Sequence, residues 1–227
     1  MNRIETFADA IAAATAAADA IGQQLRGTGR RTFVATGGRT PGPAYDALSK
    51  MDLGWETITI AQTDERFVPR GAPDSNANLI EARLLTGLAA DATFVPMKGD
   101  GASAEADALS AETALKPLLP ARATLLGMGE DGHVASLFPE NPDTPRWLNP
   151  KADRLVVGVE HSGEAPHVPR ISLTLPALLQ TGLIAILATG QEKRNVLEEA
   201  LGAAGSKLPV GAILHQDRAP VRIFWAR

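Results

Sequence analysis

The 227-residue chain contains no cysteine, which excludes disulfides, thiolate nucleophiles and cysteine-ligated zinc or iron–sulfur centres. Aromatic residues are scarce. Three tryptophans and one tyrosine give no interleaved aromatic and basic surface for single-stranded nucleic acid. Basic residues are not in excess either. The 22 Lys and Arg stand against 26 Asp and Glu, a formal charge of −4, and a general nucleic-acid binder needs a basic face to displace counterions. No run reaches the roughly 18 uninterrupted apolar residues of a membrane span. The Ala-rich stretch 7–21 carries Asp9 and Asp19 and follows Glu5, so it lacks the clean apolar core of a signal peptide and reads as an amphipathic helix. There is no G-x-S-x-G nucleophile elbow and no G-x-x-x-x-G-K-[ST] phosphate loop. His161, His167 and His215 show no metal-ligand spacing, and His161 and His167 read as surface or loop residues. These absences fit a cytoplasmic protein with neither nucleic acid nor membrane as partner.

What is present is an ordinary globular composition, 44% hydrophobic and 21% charged, long enough to bury a sizeable core. Residues 4–25 read as a helix ending at the Gly27-Thr28-Gly29 breaker. Short β-rich runs follow at 31–36, 57–62, 93–96, 123–126, 154–159, 183–188 and 221–225. Helical stretches lie between them at 41–50, 75–85 (with Ser75 as the cap), 103–115 and 191–201. This alternation predicts an α/β fold, a mostly parallel sheet flanked by helices on both faces. In such folds ligands bind beyond the carboxyl ends of the strands. The segments after Thr36, Gln62, Leu126 and Ala188 are therefore the ones to inspect.

After the first of these comes Gly37-Gly38-Arg39-Thr40-Pro41. Adjacent glycines let backbone approach a ligand, and a following helix points free N–H groups at it, which suits a phosphate; a plain strand-to-helix turn is the other reading. After Gln62, the run Thr63-Asp64-Glu65-Arg66 is placed for catalysis or for substrate hydroxyls, or is simply a solvated turn. Asp74-Ser75-Asn76 reads as a capping segment.

The segment after Leu126, Gly127-Met128-Gly129-Glu130-Asp131-Gly132-His133, matches G-x-G-x-x-G. The dinucleotide reading fails, because Glu130 and Asp131 would repel a pyrophosphate and the motif lies in mid-chain. The loop instead presents an imidazole two residues from a carboxylate. Histidine is the natural general base near neutral pH, and a carboxylate fixes its tautomer and raises its basicity. Arg170 is the only charge in the apolar stretch 166–178, so it is either paired or set for an anion. Lys193 lies in the first turn of a helix, where a cation is unfavourable unless something negative is near. Together the two read as a phosphate clamp; alone, Lys193 reads as a solvated helix residue.

These segments, in this order, resemble the 6-phosphogluconolactonases of the glucosamine-6-phosphate isomerase-like superfamily. The matching stretches are Gly37 to Pro41, Thr63-Asp64-Glu65-Arg66-Phe67-Val68-Pro69 with Ser75-Asn76, Gly127 to Pro139, Pro169 to Thr174, and Gly190 to Lys193. The resemblance implies one Rossmann-like α/β domain over 1–227 and hydrolysis of 6-phospho-D-glucono-1,5-lactone in the oxidative pentose phosphate pathway. It implies no metal or organic cofactor, a small sugar-phosphate lactone as partner, and a monomer or weak homo-oligomer. It also implies roles. His133 takes a proton from water and passes one to the leaving ring oxygen, and Asp131 supports the imidazole. Arg66 is a cation near the lactone oxygens or the phosphate. Gly37, Gly38, Arg39, Thr40, Arg170 and Lys193 hold the phosphate, and Asp64 binds sugar hydroxyls or is structural. Two alternatives stand beside it. Deaminase-type isomerases of the same superfamily carry a glutamate five residues after the histidine, where this chain has Phe138. A sugar-phosphate-sensing module would need no acid–imidazole pair, and here Asp131 and His133 are both present.

Overall fold

A computed structural model of the chain describes residues 3–160, 167–202 and 207–227. His161 and the first residue of the 166–178 stretch lie outside the described residues. The strands are β1 Ile4–Phe7, β2 Arg31–Ala35, β3 Ile58–Gln62, β4 Asp64–Arg66, β5 Thr93–Phe94, β6 Ala123–Leu126, β7 Val156–Val159, β8 Arg170–Leu173, β9 Ile184–Thr189 and β10 Val221–Ala226. The helices are α1 Ala10–Leu25, α2 Gly42–Leu48, α3 Asn76–Arg83, α4 Ala104–Leu115, α5 Thr144–Trp147, α6 Leu175–Leu178, α7 Gln191–Gly202 and α8 Pro209–Leu214.

Seven strands form one parallel sheet in the order β1-β10-β9-β6-β2-β3-β5. Strands β2, β3, β6 and β9 are buried almost throughout because side chains on both faces are covered. Alternate residues of β9 divide cleanly. Ala185 and Leu187 enter a core shared with α1 and α2, whereas Ile184, Ile186 and Ala188 enter a second core shared with α4, α7 and α8. From β2 the chain runs outward through β3 to β5, then returns to β6 and runs the other way through β9 to β10. The order therefore reverses between β2 and β6. The carboxyl ends of these two neighbouring strands open the crevice in which α/β proteins bind ligands.

Two expectations are corrected. The helix read over 4–25 begins only at Ala10. Asp9 caps it by accepting from Ala12 N–H at 2.8 Å, and Ile4–Phe7 is instead an edge strand paired in parallel with β10. The strand read over 154–159 does not join the parallel sheet. It forms β7 of a separate three-stranded antiparallel sheet in the order β4-β8-β7, whose other two strands were not expected from the sequence. Ser75 does stand at the start of a helix, but its hydroxyl makes no cap bond; another residue takes that role, as described below.

Helix α4 clamps the small sheet from outside. A Cβ on Gly158 of β7 would sit 2.5 Å from the Glu105 nitrogen, so helix and strand touch through backbone. Glu112 of α4 accepts from Leu155 N–H at 2.9 Å, Val156 N–H at 3.1 Å and Arg154 Nε at 3.0 Å, and pairs with Lys116 Nζ at 2.9 Å. Burial alone would raise the pKa of this carboxyl. The bonds from Lys116, Val156, Arg154 and Leu155 overcome that and hold it at about 2, against an ordinary 4.5. A depressed carboxylate contributes stability that is complete above its unfolded pKa and lost as pH falls through the folded one. The unfolding free energy should therefore drop by about 2–3 kcal/mol for this group between pH ~4.5 and ~2. Glu112→Gln should flatten that part of a urea-denaturation pH series, and an unchanged slope would show that the clamp does not depend on the charge.

Candidate active site

The glycine loop after β2 is fixed from two sides. Tyr45 of α2, fully buried, donates its hydroxyl to Thr36 O at 2.5 Å, and burial pushes its phenol well above the ordinary range. Gly37 abuts Asn76, the first residue of α3, so closely that a Cβ would lie 1.9 Å from Asn76 Oδ1. Only glycine fits there, and Gly38 follows at φ +88°. Arg39 is exposed and Thr40 half-buried beside them. Arg39 makes no hydrogen bond or ion pair among the described residues.

Glu65 organises the next segment. It is 1% exposed, yet among the described residues no cation pairs with it. Its carboxylate accepts from Asn76 N–H at 2.6 Å, Ala77 N–H at 2.8 Å, Arg66 N–H at 2.7 Å, Ser75 Oγ at 3.0 Å and Gln62 Nε2 at 2.9 Å. It is thus the true N-terminal cap of α3, supplied from ten residues upstream. A run of three charges at a strand end gives no sign of this in the sequence.

With Glu65 pinned, β4 pairs with β8 so that Asp64 lies opposite Ser172 and Arg66 opposite Arg170. Alternation puts all four on one face of the small sheet. Arg170 is 2% exposed and Arg66 half-buried. Arg66 donates to Asp74 O at 2.7 Å, while its buried Nε has no hydrogen-bond partner among the described residues. Like charges directly opposite each other destabilise a ladder, so this pair favours an anion between or above it.

The loop after β6 supplies the acid–imidazole pair. His133 Nδ1 lies 2.6 Å from Asp131 Oδ1, which also accepts His133 N–H at 3.1 Å. Burial works to raise the Asp131 pKa, but the hydrogen bond and charge of His133 prevail and hold it below the ordinary carboxylate range. The second glycine of the motif has a local reason. A Cβ on Gly129 would stand 2.2 Å from His133 Nδ1 and 2.3 Å from Asp131 Oδ1. What looked like a pyrophosphate turn is the space that this pair occupies. The loop then bends sharply at 134–137 and brings the Phe138 ring to 4.6 Å from the His133 ring. The Arg170 guanidinium carbon lies 5.7 Å from the centroid of the same Phe138 ring.

The structure therefore joins Asp131, His133, Phe138 and Arg170 through direct contacts, with Arg66 beside Arg170. Asp64 belongs to the same face, but both its oxygens accept from the protein, Oδ1 from Thr63 Oγ1 at 2.8 Å and Oδ2 from Ser136 Oγ at 2.7 Å. Gly37, Gly38, Arg39 and Thr40 lie at the carboxyl end of β2, linked to β4 through Asn76, whose Nδ2 donates to Asp64 O at 3.0 Å. Lys193 stands in the first turn of α7, beyond the carboxyl end of β9, and touches none of these groups directly. Phe138, Glu65 and Ser136 are missing from the sequence-derived set of site residues, although Phe138 and Ser136 lie inside the motif that prompted it. Among the described residues no group of three or more His, Asp and Glu is arranged to hold a metal, and no helix is long and apolar enough to cross a membrane.

Residues 5–225 match the family model described as glucosamine-6-phosphate isomerases/6-phosphogluconolactonase. The chain belongs to this family. A 6-phosphogluconolactonase of Caulobacter vibrioides is 46% identical over 215 residues, 95% of this chain and 91% of that one. One from Mesorhizobium japonicum is 38% identical over 96% of this chain and 90% of its own. The crystal structure of a 6-phosphogluconolactonase from Shewanella baltica superposes with a TM-score of 0.94 at 31% identity, covering 100% of this chain and 98% of that one. The family fold thus extends across the two sheets and the loop between them.

Glu65 carries a test of how the site is built. Glu65→Gln turns one acceptor oxygen into a donor that faces N–H groups. It should lower the unfolding free energy by about 2–4 kcal/mol, read from the urea midpoint. Arg70→Ala, which breaks only the exposed Arg70–Glu81 pair, should leave the midpoint in place. Equal midpoints for the two variants would show that Glu65 is not the hub described.

Proposed function

We propose that this chain hydrolyses 6-phospho-D-glucono-1,5-lactone to 6-phospho-D-gluconate, with His133 as general base. The lactonase activity is supported by family membership and by relatives of that name matching nearly end to end. The observation that carries the mechanism is the Asp131–His133 pair at 2.6 Å, at the mouth of the crevice. With Nδ1 facing Asp131, the nitrogen that acts on water is Nε2. It takes a proton from water as the oxygen attacks the lactone carbonyl. The tetrahedral intermediate then collapses, the C1–ring oxygen bond breaks, and the imidazolium returns the proton to the leaving ring oxygen. The carboxylate of Asp131, held ionised by its partner, orients the ring and stabilises the imidazolium.

Arg170 approaches that pair through Phe138, with Arg66 as its ladder partner, in a chain whose formal charge is −4. Arg66 and Arg170 meet the developing oxyanion or the phosphate, and the half-buried Lys193 and the Gly37–Thr40 loop complete the phosphate site. Asp64, engaged by Thr63 and Ser136, takes the structural role rather than a sugar hydroxyl. The reaction's place is the oxidative pentose phosphate pathway. A deaminase reading is disfavoured by Phe138, which is 1% exposed and lies against His133 where that enzyme type carries a glutamate; a phenyl ring moves no proton.

His133→Ala should lower kcat on freshly made lactone by about 10²–10⁴ after correction for spontaneous hydrolysis. A folded His133→Ala protein with near wild-type kcat, or ammonia release from glucosamine 6-phosphate at comparable rates, would overturn the reading. The phosphate assignment is checked separately. Arg170→Ala should raise KM for the phosphorylated lactone, each charge-assisted contact contributing about 1.5–3 kcal/mol, with little effect on unphosphorylated gluconolactone. Equal losses on both substrates would make Arg170 structural.

A further inference from the structure

The bend at 134–137 is a tight turn. Val134 and Leu137 form an antiparallel bridge, with Leu137 N–H donating to Val134 O at 3.0 Å. One of its two central residues, Ala135, has φ +50°, a left-handed conformation that favours glycine. The other, Ser136, is completely buried. A turn of this kind sets the flanking residues across from each other, and these are His133 and Phe138, with ring centroids 4.6 Å apart.

The Val134–Leu137 bridge does not fix the position of the turn relative to the arginines, which belong to the other sheet. Ser136 does. Its hydroxyl donates to Asp64 Oδ2 at 2.7 Å, and its N–H donates to Ser172 Oγ at 3.0 Å. Asp64 and Ser172 are opposite partners in the β4–β8 ladder. The next pair on the same face is Arg66 and Arg170. One residue therefore ties the loop that carries the imidazole to the strands that carry the guanidinium groups.

We propose that Ser136 is a positioning residue for the lactonase reaction. By fastening the strained turn to Asp64 and Ser172, it sets His133 against Phe138 and fixes the distance from the imidazole to Arg66 and Arg170. Asp64 is the anchor in this arrangement. The inference rests on His133 being the general base. A base must stand within hydrogen-bond reach of its water, and a displacement of about 1 Å can cost on the order of 10²-fold in rate. Of the groups assigned to the phosphate, the Gly37–Thr40 loop and Lys193 lie on elements that Ser136 does not touch, and Arg170 is held in register by the β4–β8 ladder itself. Loss of the serine hydroxyl should thus appear in kcat and not in KM.

The test compares wild type, Ser136→Ala, Ser172→Ala and His133→Ala at a temperature well below each melting point. Ser136→Ala should lose about 10- to 100-fold in kcat on 6-phosphogluconolactone, with KM within about twofold of wild type. Ser172→Ala, which removes the acceptor for the Ser136 N–H and a local bond to Leu173 O but leaves the Ser136–Asp64 bond in place, should lose less in the same direction. The split between kcat and KM separates positioning from a general loss of structure, and proton NMR reads the geometry of the imidazole itself. The His133 ring signals, displaced by the Phe138 ring current, should shift in Ser136→Ala. Ser136→Ala and Ser172→Ala with kcat within twofold of wild type, while His133→Ala is inactive, would overturn the inference and leave the base assignment intact. A raised KM at unchanged kcat would overturn it too. If His133→Ala stays active, the base assignment falls, and the NMR signals decide the geometry: unmoved signals in Ser136→Ala overturn it, displaced ones support it. Should Ser136→Ala fail to fold, the kcat and NMR signals of Ser172→Ala decide by the same criteria.

Discussion

The site depends first on a buried carboxylate held by neutral hydrogen-bond donors. Placing Glu65 in the interior carries a desolvation penalty that isolated ions cannot recover. Here two backbone N–H groups at the start of α3, the N–H of its own neighbour, a serine and a glutamine all point at it. Those donors satisfy the ion only in one arrangement of β3, β4 and α3. Gln62 extends the constraint by accepting Met97 N–H at 2.9 Å, so the chain after β5 is held as well. From that arrangement follow the register that sets Arg66 opposite Arg170 and the approach of Asn76 to Gly37. A solvated residue at position 65 would leave α3 uncapped and β4 without a fixed direction.

The rest of the architecture divides the chemistry between two sheets. The parallel sheet delivers the acid–imidazole pair and the backbone loop at the ends of β6 and β2, on rigid strands buried on both faces. The small antiparallel sheet delivers the guanidinium groups of Arg66 and Arg170. Between them runs the loop 127–139, and it touches both: Gly129 on the side of the pair, Phe138 against Arg170. Helix α8 supports the loop from behind, with Val210 N–H donating to Gly132 O at 2.9 Å and Leu208 against Gly132. An imidazole and two arginines from different layers are thereby linked through one loop.

Much of this was legible in the sequence, and for physical reasons. Strands β6 and β9 are apolar runs because both faces are covered, β2, β3 and β10 are rich in β-branched and aromatic residues, and their spacing by helical stretches leaves few topologies. The acid–imidazole loop was legible because its spacing is local. The small sheet was not. Three-residue β4 is all charged and shows no alternation of apolar and polar residues, and β8 finds its partner across a hundred residues. Strand β7 was recognised as a strand, but periodicity does not say which sheet a strand joins. Ile4–Phe7 was absorbed into the alanine-rich helix because the signal for a strand there lies in β10, at the other end of the chain. Glu65 and Ser136 escaped for the same reason: their partners are ten and seventy-two positions away.

The two ends of the parallel sheet bear on association between molecules. An exposed edge strand offers unpaired N–H and C=O groups to any passing extended chain, and long flat edges are templates for aggregation. Here one edge is β5, only two residues long, and the other is β1, four residues long with Glu5 held by Arg222 at 2.7 Å. The long, fully apolar strands all lie inside. The sheet therefore ends in strands too short or too charged to nucleate further pairing, so a mostly apolar β-structure is kept from growing beyond its own chain.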